Sequence, residues 1–243
     1  MATENVHAGG QREGTGNMVL ALAVIAVIAL VWVAASLLMV VTRRISFHQA
    51  FLLAPFAAWY GLPIRNGAHL RAEPPTVYAI LHQSKLDPAL MLSLLPADTL
   101  HILDEASARS MWLEPWREMA RTIAFNPAHV FVSRRLVRHL KGNGRLAVYL
   151  PDGIEPDTKA YRLYRAVARI AQRSDARVVP VSVHGSRNTM FAPSAGQRRQ
   201  LFARLRILAL EPRAISQLID LSSREKASAA AALYDRVMEA EAA

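Results

Sequence analysis

The chain of 243 residues contains no cysteine. That absence excludes disulfides, thiolate nucleophiles and metal sites with cysteine ligands. Lysine is scarce as well, so most of the formal net charge of +10 comes from arginine. The four lysines are Lys85, Lys141, Lys159 and Lys226. A basic chain of this kind is typical of proteins that bind nucleic acid, anionic lipid or phosphorylated ligands.

Charged side chains are also missing from residues 18–41, an apolar stretch long enough to cross about 30 Å of hydrocarbon. Residues 1–17, which precede it, are polar and glycine-rich, and we predict that they form a disordered tail. A secretory signal has a shorter apolar core after a positive start, so we predict a retained signal anchor. Arg43 and Arg44 follow the stretch, whereas Arg12 alone precedes it. The positive-inside rule therefore predicts a single-pass protein of the cell inner membrane, with the following domain in the cytoplasm.

Residues 45–64 are apolar too, but less uniformly. Pro55 interrupts them, and Trp59 and Tyr60 lie near their end. Aromatic residues beside a proline break are typical of a helix that lies at the membrane surface. We therefore interpret residues 42–72 as an interfacial, membrane-associated segment. A second crossing of the membrane by residues 45–64 is the alternative.

Residues 73–243 alternate between strand-like and helix-like patterns. Short apolar runs predict strands at residues 76–81, 99–103, 130–133, 146–150 and 178–183, and residues 201–210 alternate arginine with apolar residues. Helical patterns occupy residues 106–121, 134–141, 161–173 and 224–243. Alternation of this kind predicts one α/β domain with a mostly parallel, mixed sheet flanked by helices.

His82 and Asp87 flank a predicted turn between a strand and a helix. His82 follows the apolar run of residues 76–81, where a buried strand would reach the surface. Asp87 precedes Pro88, and Asp is favoured at the N-cap of a helix and Pro at its first position. On one continuous helix the two side chains would diverge by about 140°, whereas a turn lets them face each other. An imidazole held by a carboxylate is a candidate general base; a surface histidine beside an ordinary N-cap is the alternative.

Three further places are candidates for chemistry. Arg134 and Arg135 follow a predicted strand, and guanidinium groups bind phosphate with two parallel hydrogen bonds. Asp152 and Gly153 form a predicted turn after the next strand, and Pro180 interrupts an apolar strand, which is typical of an edge or an unpaired position. Taken singly, these places are equally consistent with a solvated charge pair, a β-turn and an edge strand.

In this order, the four places resemble the motifs of the glycerolipid acyltransferase family, typified by bacterial 1-acylglycerol-3-phosphate acyltransferases. The family's motifs are matched by His82 with Asp87, by Phe131-Val132-Ser133-Arg134, by Leu150-Pro151-Asp152-Gly153 and by Val179-Pro180-Val181. Asp152 stands where the family usually has Glu. Residues 161–188 most resemble the acyltransferase half of the bifunctional acyl-carrier-protein synthetase/2-acylglycerophosphoethanolamine acyltransferase.

The resemblance implies that a fatty acyl group moves from a thioester to the hydroxyl of a lysophospholipid or a related acceptor. His82 would be the general base, and Asp87 would fix its tautomer and stabilise the imidazolium. Arg134 and Arg135 would hold an acceptor phosphate, and Asp152 with Gly153 would shape the acceptor site. The implied partners are membrane lipids, acyl-CoA or acyl carrier protein as donor, and a separate acyl-activating ligase. We expect no cofactor and no metal.

Other functions are compatible with parts of the sequence. A catalytically inactive protein with the same fold would bind lipid or scaffold an acyl-activating partner. A thioesterase would use the same donor but transfer the acyl group to water. A nucleic-acid-binding protein would account for the basic charge, but aromatic residues are not interleaved with arginine on any one predicted strand. The arginine-rich surface is also predicted to bind anionic bilayers, more weakly at high salt.

Overall fold

A mixed sheet with helices on both faces forms the centre of the protein in the computed structural model. The structure describes residues 8–103, 111–119, 121–124, 130–153, 155, 158–192, 199–221 and 228–243. Within these residues the strands are β1 (Ile64–Arg65), β2 (Thr76–Leu81), β3 (Thr99–Leu103), β4 (Arg121–Ala124), β5 (Arg145–Leu150), β6 (Arg177–His184) and β7 (Arg206–Ala209). Their order in the sheet is β1-β7-β6-β2-β5-β3-β4.

The sheet is mostly parallel. Strands β6, β2, β5, β3 and β4 run in one direction, and each pairs in parallel with its neighbour. Strand β7 is antiparallel to β6, and β1 is parallel to β7, so these two strands are reversed. The predicted α/β class with a mostly parallel, mixed sheet is confirmed.

Helices connect the strands and cover both faces of the sheet. In the described part of the chain they are α1 (Ala8–Arg43), α2 (Phe47–Tyr60), α3 (Leu86–Leu94), α4 (Glu114–Met119), α5 (Val130–Lys141), α6 (Lys159–Ser174), α7 (Ile215–Leu221) and α8 (Ala229–Ala242). Single turns of 3₁₀ helix lie at Gly67–Arg71, Met111–Leu113 and Ser186–Asn188.

Strand β2 lies between two hydrophobic cores. All six of its residues are buried, and successive side chains point to opposite faces of the sheet. Tyr78 and Ile80 belong to the core that includes α2, α3 and the end of α1. Val77, Ala79 and Leu81 belong to the core on the other face, which is covered by α5, α6, α7 and α8. The sequence of β2 is continuously apolar because both faces of this central strand are covered.

Helix α1 is the one described helix that is long and apolar enough to cross a membrane. The stretch Gly16–Arg43 has 28 residues, and an 18-residue segment of it has a mean hydropathy of 3.0 and contains no buried residue. Helix α1 begins at Ala8, within the segment 1–17 for which the sequence predicts a disordered tail. The length and composition of this stretch are those of a helix that can cross a membrane, as the predicted anchor requires.

Helix α2 is too short to be a second span. Its 14 residues extend about 21 Å, less than the roughly 30 Å of a hydrocarbon core. Ser46 and Gln49 form a capping box at its start, and Gly61 ends it in the left-handed conformation with φ of 59°. One side of α2 packs into the core with Leu53, while Phe51 stacks on Trp32 of α1 with ring centroids 5.0 Å apart.

Two of the predicted elements were wrong. Residues 130–133, predicted as a strand, are the first turn of α5. Arg121, predicted as the last residue of a helix over residues 106–121, instead begins β4, a strand at the parallel edge of the sheet for which the sequence made no prediction. Short apolar runs do not distinguish a buried strand from a buried helical turn, and tertiary pairing decides between them.

Pro180 occupies an interior strand at a position where no hydrogen bond is lost. Its carbonyl accepts from the backbone N–H of Leu210 at 2.9 Å, so its nitrogen faces the same neighbouring segment. The ladder between β6 and β7 ends with the pair Val181 and Ala209, and the next bridge joins Val178 to Arg213. The proline nitrogen therefore faces the gap between the two, which fits the predicted unpaired position but not an edge strand.

Candidate active site

The candidate site lies at the carboxyl ends of the three adjacent strands β6, β2 and β5. His82 directly follows β2, Pro151 directly follows β5, and Gly185 directly follows β6. The His82 backbone N–H donates to the Leu150 carbonyl at 2.8 Å, which continues the parallel ladder by one bond. Open α/β sheets bind ligands outside the carboxyl ends of their strands, so the predicted residues reach a favourable edge.

Asp87 closes the loop that carries His82. Its Oδ2 atom accepts from the backbone N–H groups of Gln83 and Ser84, both at 2.7 Å, and the side chain is fully buried. Helix α3 begins at Leu86, so the prediction of Asp87 as N-cap was wrong. The carboxylate binds N–H groups before the helix rather than within its first turn, and so it fixes the loop itself.

His82 faces Asp87 across a short gap. Its Nδ1 atom lies 3.6 Å from Asp87 Oδ2, and the imidazole is 30% exposed. That distance is too long for a hydrogen bond. Both His82 Nδ1 and Asp87 Oδ1 are buried and lack a hydrogen-bond partner among the described residues. Catalytic hydrogen bonds are often long without substrate and shorten when substrate binds, so an imidazole and a carboxylate at this distance can act as a base and its orienting group.

A second segment fastens the same loop from a distant part of the chain. Ser84 Oγ lies 3.2 Å from Thr189 Oγ1, and Thr189 Oγ1 donates to the Ser186 carbonyl at 2.7 Å. Because the Thr189 proton is used on that carbonyl, Ser84 is the donor between the two hydroxyls. The Lys85 N–H also donates to the Phe191 carbonyl at 3.1 Å. Sequence reasoning missed Thr189, which lies 105 residues from Ser84.

The Tyr149 side chain packs against His82, and His101 lies next to Tyr149. The Tyr149 ring meets the His82 ring edge to face, with centroids 5.9 Å apart, and its hydroxyl lies 3.1 Å from His101 Nδ1. Burial, and secondly the charge of Asp87, raises the pKa of Tyr149 well above its usual value. Burial lowers the pKa of His101 to about 3. Both groups are therefore uncharged at neutral pH, so they support the imidazole without competing for its proton.

Asp152 and Gly153 lie at the same edge as His82. The Asp152 carboxylate accepts from the guanidinium of Arg187, in the 3₁₀ turn that follows β6, and both side chains are partly exposed. Gly153 has φ of +134°, a conformation that favours glycine. Sequence reasoning missed Arg187. It lies just after β6, a parallel strand that pairs with β2, so the order of the strands in the sheet would have pointed to it.

Arg134 and Arg135 are exposed on α5 and form no ion pair with another described residue. The expectation that they leave a strand was wrong, since they lie in the second turn of this helix. Helix α5 follows β4 and precedes β5, and these strands are parallel to β3, so α5 begins at the carboxyl edge of the sheet. Both arginines therefore lie near the end of α5 that is closer to the site.

An apolar cavity of about 490 Å³ adjoins the residues that are hydrogen-bonded to the His82 loop. It lies between α2 and the segment after β6, and its walls are Pro55, Phe56, Trp59, Tyr60, Met190, Phe191 and Leu201. The Phe191 carbonyl accepts from the Lys85 N–H, so a hydrogen bond joins the cavity wall to the His82 loop. Trp59 also stacks on Phe202, with ring centroids 4.8 Å apart. The arrangement offers space for a hydrocarbon chain next to a segment that is hydrogen-bonded to the His82 loop.

Comparison with known proteins gives a structural and a sequence match. The fold is similar to the crystal structure of the 1-acyl-sn-glycerophosphate (LPA) acyltransferase PlsC from Thermotoga maritima, with 14% sequence identity, 93% of each chain covered and a TM-score of 0.49. The sequence profile described as Acyltransferase matches residues 62–184, just over half of the 243 residues. The matched range contains the His82 loop, α5, the turn after β5 and the whole of β6. The chain belongs to the acyltransferase family.

Proposed function

We propose that the protein is a membrane-anchored O-acyltransferase that moves a fatty acyl group from acyl-CoA or acyl carrier protein to the hydroxyl of a lysophospholipid or a related acceptor. The observation that carries the proposal is the pair His82 and Asp87 at the carboxyl end of β2 in a chain of the acyltransferase family. A buried, backbone-bound carboxylate beside a partly exposed imidazole suits general base catalysis.

In the proposed reaction His82 removes the proton from the acceptor hydroxyl as its oxygen attacks the thioester carbonyl. The new ester C–O bond forms and the C–S bond breaks, and the proton passes from the imidazolium to the departing thiolate. Asp87 holds Nδ1 and stabilises the imidazolium. No residue of the chain is acylated in this scheme, in keeping with the absence of cysteine. The products are an ester and a free thiol.

The acceptor's polar end is proposed to bind on the side of the site formed by α5 and the turns after β5 and β6. Arg134 and Arg135 would bind its phosphate, because a guanidinium group forms paired hydrogen bonds with phosphate oxygens. Asp152 and Gly153 would shape the site, and Arg187 joins them as the partner of Asp152. Exposed arginines without acidic partners remain available for a ligand charge.

The acceptor's hydrocarbon end is proposed to occupy the apolar cavity that lies between α2 and the side chains of Met190, Phe191 and Leu201. Exposed aromatic side chains on the same side, Phe51, Trp59 and Phe202, suit the membrane interface, where aromatic residues are enriched. An anchor that keeps this side at the bilayer surface would spare the lipid a passage through water.

The anchoring proposal is that α1 spans the cell inner membrane once and that the domain after Arg43 is cytoplasmic. Arg43 and Arg44 at the end of the apolar stretch support this orientation. A reporter that is active only in the cytoplasm, fused after Ala243, should be active. A reporter active only in the periplasm, fused at the same residue, should be silent, and its activity would contradict the orientation.

The reaction is tested with the purified full-length protein in detergent or nanodiscs, given a radiolabelled acyl thioester. Acceptors that differ in headgroup and free hydroxyl, including 1-acylglycerol-3-phosphate and 2-acylglycerophosphoethanolamine, are supplied one at a time. We expect labelled diacyl product with at least one of these acceptors. Release of free fatty acid without any acceptor would indicate a thioesterase. Binding of lipid without turnover of either kind would indicate a protein that has kept the fold and lost catalysis.

A further inference from the structure

A basic cavity of about 380 Å³ lies where α1 ends and meets the domain. Its volume is within the range of sites that bind small ligands. Arg43, the last residue of α1, and Arg44, which follows it, line the cavity, and Arg71 reaches it from the 3₁₀ turn Gly67–Arg71. No Asp or Glu is among the described residues that line it. The cavity therefore presents three guanidinium groups and no carboxylate.

The position of Arg71 has no explanation in the topology of the chain. Arg43 and Arg44 follow an apolar helix, as the positive-inside rule requires. Arg71 lies 28 residues after Arg43 and meets it only through the fold. Positive charges that meet in one place repel each other, and none of the three arginines forms an ion pair with another described residue. An anion bound among them would offset this repulsion.

Hydrogen bonds hold two of the three arginines at the cavity. Arg43 Nη2 donates to the Leu62 carbonyl at 3.1 Å, and the Arg71 guanidinium donates to the Arg43 carbonyl. Arg43 Nη1 is buried and lacks a hydrogen-bond partner among the described residues. A buried charged donor without a partner is unfavourable, and a guanidinium forms paired hydrogen bonds with phosphate oxygens. The arrangement therefore suits a phosphate group as the bound anion.

The place of the cavity favours a lipid as the source of that phosphate. In the proposed topology α1 ends at the cytoplasmic surface of the membrane, at the level of the lipid headgroups. Leu38 and Val41 are exposed on the last two turns of α1, where they would contact the hydrocarbon chains of a lipid bound at the cavity. Basic pockets beside transmembrane helices bind anionic headgroups. A zwitterionic headgroup carries its own ammonium and would neutralise less of the charge.

We propose that the cavity lined by Arg43, Arg44 and Arg71, the junction cavity, binds the phosphate of one anionic phospholipid of the cytoplasmic leaflet. The inference rests on the proposed single span of α1 and not on the proposed acyl transfer. The lipid contacts both the end of α1 and the Gly67–Arg71 turn, so it holds the anchor against the domain. One lipid in one cavity differs from the diffuse attraction of an arginine-rich surface to a charged bilayer.

The test counts the lipids bound to purified full-length protein in detergent by native mass spectrometry, with phosphatidylglycerol or phosphatidylcholine added in increasing amounts. We expect one tightly bound phosphatidylglycerol per chain and at least about tenfold weaker binding of phosphatidylcholine. Arg44→Gln/Arg71→Gln should raise the Kd for phosphatidylglycerol about tenfold or more, because it removes two of the three charges. Arg44→Lys/Arg71→Lys keeps the charges but not the paired hydrogen bonds, so its Kd should lie between the two.

A matched variant controls for net charge. Arg169 and Arg173 are exposed on α6, so Arg169→Gln/Arg173→Gln removes two charges elsewhere and should leave the Kd near the wild-type value. The unfolding temperature without lipid shows whether each variant is folded. If the glutamine variant of the cavity is unfolded, the lysine variant decides, and an unchanged Kd for it would overturn the inference.

Three results with wild type or the control would also overturn the inference. Wild type binds both lipids equally, or the α6 variant weakens binding as much as the cavity variant does, or inorganic phosphate displaces the bound lipid as effectively as added phosphatidylglycerol. The last result would assign the cavity to a soluble anion. Binding is measured without turnover, so wild type that binds the lipid but transfers no acyl group would reject the proposed function and leave this inference intact.

Discussion

The His82 loop and the arginine pair of α5 differ in how firmly the protein holds them. Around His82, the loop is fixed by Asp87, by the hydroxyl of Thr189 and by a backbone bond to Phe191. On α5, Arg134 and Arg135 extend into solvent and pair with no described residue. One part of the proposed site is rigid before any ligand binds, and the other has no internal partner.

This difference matches what each part would do. A general base works best when its geometry is fixed in advance, because misplacement raises the barrier directly. A phosphate-binding arginine gains its partner only from the ligand, and an internal carboxylate would compete with that ligand. Substitutions in the loop should therefore lower kcat, whereas substitutions of the arginines should raise KM for the acceptor.

The largest effect is expected for His82→Ala. It removes the proposed base, so kcat should fall by about 10²–10⁴-fold, the usual contribution of a general acid–base group. His48 is an exposed histidine on α2, so His48→Ala is the matched control and should leave kcat unchanged. Both variants are assayed for acyl transfer and checked by circular dichroism. Near-normal transfer by well-folded His82→Ala would rule out the mechanism.

The second-largest effect is expected for Asp87→Asn. This substitution removes the charge of the side chain but keeps an oxygen that can close the loop. An amide oxygen can still accept from the N–H groups of Gln83 and Ser84, but it cannot stabilise an imidazolium. We expect kcat to fall by about 10²-fold, the lower end of the range for such catalysis, while thermal unfolding changes little. Asp87→Ala should also unfold more easily, because two buried N–H groups lose their acceptor at about 1–3 kcal/mol each. If Asn and Ala were equally destabilised and equally active, Asp87 would be structural only.

The two parts of the site also differ in how well the sequence predicts them. The run before His82 is apolar throughout because β2 is covered on both faces, so the strand follows from the pattern, whereas α3 begins at Leu86, before the start predicted from the Asp-Pro step. Residues 130–133 are equally apolar, yet they begin a helix, because a run of that length has no decisive period. The motif order is what proposes Arg134 for the site, although the local structure around it was mispredicted.

Long-range partners are the other limit of sequence reasoning. Thr189 and Arg187 act on residues that lie 105 and 35 positions away, so no local pattern points to them. The register of β6 beside β2 brings their turn to the site, and that register depends on pairing across the whole sheet. The contacts of Asp87 with backbone N–H groups were likewise hidden, because backbone donors have no sequence signature.

A smaller effect is expected for Arg134→Ala, in KM rather than kcat. Hydrogen bonds to charged groups contribute about 1.5–3 kcal/mol when well formed. Exposure to water reduces that value here, so KM for a phosphate-bearing acceptor should rise about tenfold or less. Arg134→Lys should recover only part of the loss, since an ammonium cannot form the paired bonds. Arg65→Ala, an exposed arginine of β1, is the control for lost charge. A lower kcat at unchanged KM would place Arg134 in the chemical step instead.

The smallest effect tests whether the rigidity of the loop matters for catalysis. Thr189→Val keeps the shape of the buried side chain but removes the hydroxyl that joins Ser84 to the Ser186 carbonyl. A hydrogen bond of this kind contributes about 0.5–1.5 kcal/mol, so kcat should fall by up to about tenfold, with the acceptor KM unchanged. Thr189→Ser restores the hydroxyl and should restore kcat, even though it leaves a small cavity and lowers stability. A purely structural role predicts the reverse ranking, with Val closer to wild type than Ser because Val fills the site. Measuring kcat and the unfolding temperature of both variants distinguishes the two roles, since only positioning makes activity follow the hydroxyl rather than the packing.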